Sequence, residues 1–291
     1  MSAHELVEAG NGFLSVAQVC RLLEIPRSSD CERRHRRPSR RALDNAVLAV
    51  AVRATYERSR RRYGSPRIMR SLRKRGTRVS RKRVARLMRH EGLVARPKKR
   101  FRVTTQSDHK LPIAPNLLER NFTADGPDRV WVGDITYVWT CEGWMYLAAL
   151  VDVYSRRVVG WAMRRYLTRE LTFEALRRAV ELRRPAPGLI HHTDRGSQYA
   201  SDDYRSLMKQ SAMRPSMSRR GDCLDNAMAE SFFATLEHEL LRFHLFASRS
   251  EALDAVAHYI ENFYNPERLH SALDYRSAIE YEFDHDAAKA A

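Results

Sequence analysis

From residue 130 the chain changes its hydrophobic rhythm. Three runs at 130–140, 145–154 and 157–164 are rich in Val, Trp, Tyr and Leu and are separated by turns at Glu142-Gly143 and Ser155-Arg156. Strand-forming runs at a spacing of about twelve residues read as an antiparallel meander. The pattern then alternates. Thr168 opens a helix to about 184 that Pro185 and Pro187 close, and 189–193 is a short strand entering a loop at Asp194. Residues 201–210 read as helix, 213–217 as strand, 225–242 as helix, and Ser248 caps a last helix over about 251–264. Hairpin strands followed by alternating helix and strand predict an α/β unit, a mixed sheet with helices on its faces.

The first part of the chain is different. Residues 1–110 hold 30 of the 52 basic and 9 of the 35 acidic side chains, leaving 22 basic and 26 acidic in the rest. A basic arm on a mildly acidic body is the asymmetry of a polyanion-binding module joined to something else. Residues 14–26 predict a short helix with Leu14, Ala17, Val19, Leu22 and Leu23 on its apolar side, and 27–41 an exposed Arg/Ser/Pro linker. Leu43, Val47, Val50 and Ala54 recur at helical spacing and predict the core-facing side of a second helix. Arg60-Arg-Arg-Tyr-Gly64 breaks it, Pro66 opens a third helix to about 75, and Gly76 stops that one. Ser80 caps a fourth, which Gly92 ends. There Val84, Leu87, Met88 and Glu91 share one side, while Arg81, Lys82, Arg83, Arg86 and Arg89 cover the remainder. Helix, Gly-containing turn and Arg-rich helix are the parts of a helix-turn-helix, whose basic face meets the major groove. Arg67 and the tail residues Lys98, Lys99 and Arg100 complete the candidate DNA contacts. The expected division is 1–41 helical segment and linker, 42–102 DNA-binding unit, 103–128 linker, 129–245 catalytic core and 246–291 C-terminal helix and tail.

Cysteines 20, 31, 141 and 223 form no Cys-x-x-Cys pair, so no zinc knuckle or disulfide framework is signalled. The chain shows no signal peptide and no apolar run of about 18 residues, so a cytoplasmic protein with no membrane partner is expected.

Three acids stand in distinctive surroundings: Asp134 in Trp131-Val-Gly-Asp-Ile-Thr-Tyr137, Asp194 in His191-His-Thr-Asp-Arg-Gly-Ser-Gln-Tyr199, and Glu230 in Asp225-Asn-Ala-Met-Ala-Glu-Ser-Phe-Phe233. Asp134 falls mid-strand, Asp194 at a strand end, and Glu230 at the border of the helical stripe Ala229, Phe232, Phe233, Leu236, Leu240, with Asn226 one turn earlier. Carboxylates brought together repel unless cations intervene. Hard divalent ions, Mg²⁺ or Mn²⁺, two of them, suit both the oxygen ligands and an in-line phosphodiester displacement. His191 and His192 lack the further Cys or His of a zinc site and read as neighbours that orient Asp194 or DNA.

These motifs, with Tyr63-Gly-Ser-Pro-Arg-Ile68, Leu150-Val-Asp-Val-Tyr-Ser-Arg156 and Tyr264-Asn-Pro-Glu-Arg-Leu-His270, resemble the OrfB transposases of bacterial insertion sequences, which share a catalytic domain with retroviral integrases. The resemblance covers about residues 14–282, and the 35 residues between the second and third acids are one of its hallmarks. It implies an RNase H-like fold and a metal-bound triad of Asp134, Asp194 and Glu230. It further implies double-stranded DNA as partner, cleavage at element ends, and transfer of the new 3′-hydroxyl. His192, Gln198, Asn226, Arg268 and His270 are the expected supporting residues, the last two either touching DNA or packing the final loop on the core. A homo-oligomer and an OrfA partner or OrfAB fusion are also implied. Where the family carries Lys or Arg seven residues after the glutamate, this chain has Glu237. A catalytically silent DNA-binding repressor and an RNase H-like nuclease are the alternative readings.

Overall fold

The computed structural model describes residues 16–22, 24, 26–28, 38–95, 113–219 and 223–290. Leu14, Leu23, Lys98, Lys99 and Arg100 lie outside the described residues.

The chain begins with helix α1 (Val16–Leu22). Three helices follow: α2 (Arg40–Arg58), α3 (Ser65–Lys74) and α4 (Arg81–His90). Their boundaries have local causes. The Ser39 hydroxyl accepts from Ala42 N at 3.2 Å, so the last residues of the expected linker already belong to α2. Pro66 sits in the first turn of α3, where its missing N–H is no loss. Ser80 caps α4 through Arg83 N at 3.3 Å. Gly76 and Gly92 follow the two helix ends at φ 83° and 63°, a left-handed geometry that favours glycine.

One expectation for α2 is overturned. Leu43, Val47, Val50 and Ala54 are exposed, and the helix buries Leu48, Val52, Thr55 and Tyr56 instead. At about 100° per residue the two stripes lie on opposite sides of the helix. Periodicity finds both sides and does not choose between them. The choice is made by Ile68, Leu72, Val84, Leu87 and Met88 of α3 and α4, which share one core with the second stripe.

The second half is a five-stranded sheet of order β3-β2-β1-β4-β5. Its strands are β1 (Val130–Thr140), β2 (Gly143–Asp152), β3 (Val158–Arg164), β4 (Ile190–Thr193) and β5 (Arg214–Met217). The first three pair antiparallel as the expected meander, and β1–β4 and β4–β5 are parallel. Helix α5 (Arg169–Arg183) and helix α6 (Asp202–Gln210) belong to the layer built on Trp131, Ala148, Leu150, Val159 and Ala162. Helix α7 (Ala227–Glu239) and helix α8 (Arg249–Tyr259) cover Val132, Val138, Leu147, Ala149 and Val151 on the other face. Alternation along β1 and β2 supplies both layers. The result is the mixed, helix-flanked sheet that the residue pattern predicts.

Thr168 occupies the cap position of α5 without a capping hydrogen bond, whereas Ser248 caps α8 through Glu251 N at 3.1 Å. The single helix expected over 225–242 is three pieces: a 3₁₀ turn (Cys223–Asn226), α7, and a second 3₁₀ turn (Leu241–Phe243). Helix α7 stops where Glu239 enters a buried ion pair and Leu240 enters the core, a tertiary demand with no local signal. Helix α8 runs on into a π turn (Ile260–Tyr264). Residues 113–128, which read as linker, lie along the core: Asn116 donates to Asp225 at 2.9 Å and Leu118 is buried. Helix α9 (Ala278–Ala290), absent from the sequence reading, is held by Glu282 to Arg157 at 2.6 Å and Arg183 at 2.9 Å. Among the described residues no helix is long and apolar enough to cross a membrane.

Gly160 in β3 sets the spacing of α5. A Cβ there would meet the Ala175 carbonyl at 2.4 Å and Ala179 Cβ at 2.6 Å. Gly160→Ala must push the helix off the sheet, and we expect urea denaturation to show a loss of about 1–3 kcal/mol. An unchanged midpoint would mean that the layer has slack the packing does not show.

Candidate active site

The parallel pairing of β1 with β4 brings the first two acids together. Gly133 is in register with Thr193, so Asp134 and Asp194 each follow a paired residue at the point where β4 ends. Asp134 accepts from Ile135 N at 2.8 Å, and Asp194 from Gly196 N at 2.9 Å. A Cβ at Gly196 would meet Gln198 Oε1 at 2.9 Å and Asp194 Oδ1 at 3.0 Å, so a larger residue there would shift these side chains. The same geometry sets Gln198 beside the Asp194 carboxylate. The third acid is delivered by a tether: Asn226 donates to the Gly133 carbonyl at 3.2 Å, tying the start of α7 to β1 one residue before Asp134. Glu230 follows one turn later, half-buried.

Electrostatics mark the convergence. Burial first, then the charges of Asp194 and Glu230, push the half-buried Asp134 carboxyl well above the usual carboxylate range. Burial raises Glu230. Burial pushes the Tyr199 phenol up, and the Asp194 and Asp134 charges add to it. Among the described residues no group of three or more His, Cys, Asp or Glu side chains is placed to hold a metal ion by itself. Mg²⁺ does not require one, since it commonly takes one or two carboxylates and fills its octahedron with water and substrate phosphate. The side chain of Asn226 is buried, and its Oδ1 has no hydrogen-bond partner among the described residues, an open acceptor beside β1 that suits bound water or hydroxyl.

Arg219 is tied to the 3₁₀ turn before α7 by a residue to which the sequence reading gave no role. Asp225 is buried and accepts from Arg219 N at 2.9 Å, Arg219 Nη2 at 2.8 Å, Asn116 and Arg120. Hydrogen bonds from the Arg219 side chain above all hold its carboxyl well below the usual range. Its place immediately before Asn226 was the available signal.

The histidines are packing groups. His191 Nε2 meets the Tyr204 hydroxyl at 2.5 Å and Nδ1 the Trp131 carbonyl at 3.4 Å. His192 meets the Ser216 and Ser218 hydroxyls at 2.8 and 3.1 Å. With both ring nitrogens engaged in each case, neither is placed as a zinc ligand. Burial lowers both to about 4. Unfolded histidine binds its proton near 6.5, so between these values the folded state holds fewer protons. The stability from these rings is complete above about pH 6.5 and is lost as pH falls through about 4. NMR titration should find both imidazoles neutral at pH 5; a ring titrating near its ordinary value would contradict the burial.

The candidate DNA contacts divide. Arg81, Lys82, Arg86 and Arg89 are exposed on α4, and the partly buried Arg83 donates to Asn45 at 2.9 Å. Arg67 is corrected: it points inward, 3.5 Å from Glu239 and over the Tyr63 ring. Arg268 and His270 resolve toward packing. Arg268 is buried against Glu239 at 2.9 Å, and His270 is edge-on to Tyr264 at 5.1 Å. Burial first, then the Arg268 charge, lowers His270 to about 2. Glu237 is exposed.

A central acid-bearing sheet of this topology, joined to a helical DNA-binding-type unit, defines a protein of the integrase-core class. A family model described as an integrase core domain matches residues 124–223, a second of the same description matches 211–277, and an HTH-like domain matches 42–101. The "Insertion element IS600 uncharacterized 31 kDa protein" of Shigella sonnei is 44% identical over 88% of this chain and 94% of its own length. The transposase of IS904 from Lactococcus lactis is 40% identical over 85% and 98%. Transposase InsF of IS3A from Escherichia coli K12 is 41% identical over 91% and 93%. A chain of the simian T-cell lymphotropic virus intasome, in complex with the PP2A regulatory subunit B56 gamma, is a more distant likeness. It is 16% identical with a TM-score of 0.46 over 70% of this chain and 67% of that one. The chain belongs to the insertion-element transposases with an integrase core domain.

Proposed function

We propose that this chain cuts DNA at the ends of an insertion element and joins the resulting 3′-hydroxyl to a new phosphodiester, with Asp134, Asp194 and Glu230 as the catalytic, metal-holding acids. The observation that carries the reading is the β1–β4 register that sets Asp134 and Asp194 side by side, with the helix of Glu230 tied to β1 through Asn226; burial first, then the Asp194 and Glu230 charges, raises the Asp134 carboxyl there. Bound Mg²⁺ or Mn²⁺, two ions, would supply activation of the attacking oxygen and stabilisation of the leaving one. Asp134 and Asp194, at the end of the β1–β4 pair, hold the fixed side of the site, and Glu230 on α7 the other. Asn226 fixes α7 against β1 and keeps its free carbonyl oxygen for a hydroxyl or water.

DNA is positioned by the arm. Arg81, Lys82, Arg86 and Arg89 form the exposed basic surface of α4, which in this reading serves as the recognition helix of a helix-turn-helix unit over 42–102. Replacing Arg86 with Ala should weaken binding to all duplexes and reduce the slope of log affinity against log salt by about 0.9 if it meets one phosphate. An unchanged slope would place α4 off the DNA.

Incubation of the protein with a duplex carrying the element's terminal repeats tests the whole reading. Nicked and joined products should appear with Mg²⁺ and disappear with a chelator. Binding without any product, alone or with an OrfA partner, would favour the repressor reading; nicking without joining would favour a nuclease.

A further inference from the structure

The exposed stripe of α2 extends beyond its apolar centre. Arg40, Leu43, Val47, Val50, Ala54 and Glu57 follow one another at steps of three or four residues, and all are exposed, Val47 at 73% and Val50 at 70%. This spacing is a two-helix seam. The stripe lies on the opposite side from Leu48, Val52 and Tyr56, which pack in the core shared with α3 and α4. The seam therefore faces away from the basic helix.

We propose that this face of α2 is the surface on which two copies of the chain pair, with their α2 helices antiparallel. The residues specify both partner and direction. Two such helices reversed about the midpoint between Val47 and Val50 set Val47 against Val50, Leu43 against Ala54, and Arg40 against Glu57 at each end of the seam. A parallel pair would place Arg40 on Arg40 and Glu57 on Glu57, two like-charge contacts. The present partner of Glu57 is Arg61 at 3.1 Å, both groups well exposed, and such a surface pair exchanges readily.

Size and charge add a condition. A seam of about five turns of a single helix buries less than the roughly 1,200 Å² of a stable interface. Each copy also carries 30 basic and 9 acidic side chains in residues 1–110, so two arms repel in free solution. Duplex DNA neutralises that charge and raises the local concentration of bound copies, so pairing belongs to the DNA-bound state. With the seam turned from α3 and α4, each copy keeps its own α4 for DNA. This inference is independent of the cutting chemistry, and its test involves none.

Sedimentation velocity of the full chain, with and without a nonspecific duplex, reads the association. The protein should dimerise far more readily with duplex. Val47→Glu should lower the association constant at least about a hundredfold while leaving the circular dichroism spectrum unchanged, because Val47 touches little within its own chain. Arg40→Glu and Glu57→Arg should each cost about tenfold, and the double exchange should recover to within about threefold of the wild type. Three results overturn the proposal: a monomer at every concentration with and without duplex, a dimer that Val47→Glu leaves intact, or a double exchange as weak as its singles. The last holds even if the glutamate at 47 disturbs folding.

Discussion

Asp134→Asn is expected to abolish cleavage and joining while leaving DNA binding and fold intact. In metal-free buffer it should also melt higher than the wild type. The two outcomes share one cause. Asp134 sits mid-sheet, crowded by Asp194 and Glu230, and its carboxyl is pushed well above the ordinary range by burial and by those charges. At neutral pH the ionised form is therefore held against opposition. The amide has nearly the same shape, keeps an oxygen to accept from Ile135 N, and removes the charge. The catalytic loss should be at least about a thousandfold, since a divalent ion contributes several kcal/mol of charge stabilisation in phosphodiester displacement. Mg²⁺ should raise the melting temperature of the wild type, because an ion that binds only the folded state stabilises it. It should do so much less for the variant. Asp194→Asn and Glu230→Gln should share the kinetic defect, with smaller stability changes at Glu230, which sits at the rim. Turnover by Asp134→Asn at the wild-type rate, or melting of the wild type that ignores Mg²⁺, would remove these acids from the metal role.

The second large effect is structural. Glu239→Ala should destabilise the protein by about 3–5 kcal/mol, because it strands buried Arg268 without its counter-charge. Arg268 donates to both Glu239 oxygens at 2.9–3.1 Å, and Tyr259 donates to the same carboxylate at 2.9 Å. The cluster also fastens the arm to the core. Arg62 donates to the Glu239 carbonyl at 2.9 Å, and the Tyr63 hydroxyl donates to the Glu267 carbonyl at 3.2 Å and accepts from Leu269 N at 3.0 Å. The double replacement Glu239→Leu with Arg268→Met should recover much of the loss, since an apolar pair of similar volume avoids two buried charges. Urea denaturation decides it: a single-variant loss below about 1 kcal/mol, the worth of a surface pair, would show that water reaches the cluster.

Much of the site could be read from residues alone. Asp134 in an apolar strand, Asp194 at a strand end and Glu230 beside an aromatic helical stripe are placed by period-2 and period-3.6 patterns, which local sterics and burial impose wherever the segments end up. The caps at Ser80 and Ser248 and the glycine stops at 76 and 92 were legible for the same reason: each is a bond or dihedral within a few residues. Arg67 was misplaced because an arginine reads alike whether it meets phosphate or Glu239. His191 and His192 gave no sign of their Tyr204, Ser216 and Ser218 partners, which lie 13 to 26 residues away in sequence.

By itself, then, the sequence determined the two-part character of the chain, the sheet with its helices and the family, and it singled out the three acids proposed here as the site, since these rest on composition, periodicity and short motifs. Tertiary structure alone decided three further matters. It chose which of the two apolar stripes of α2 turns inward, ended α7 at Glu239, and made Arg67, Arg268 and His270 parts of an internal joint. Each depends on what a side chain meets across space after folding, and long-range contacts leave no period in the chain that makes them.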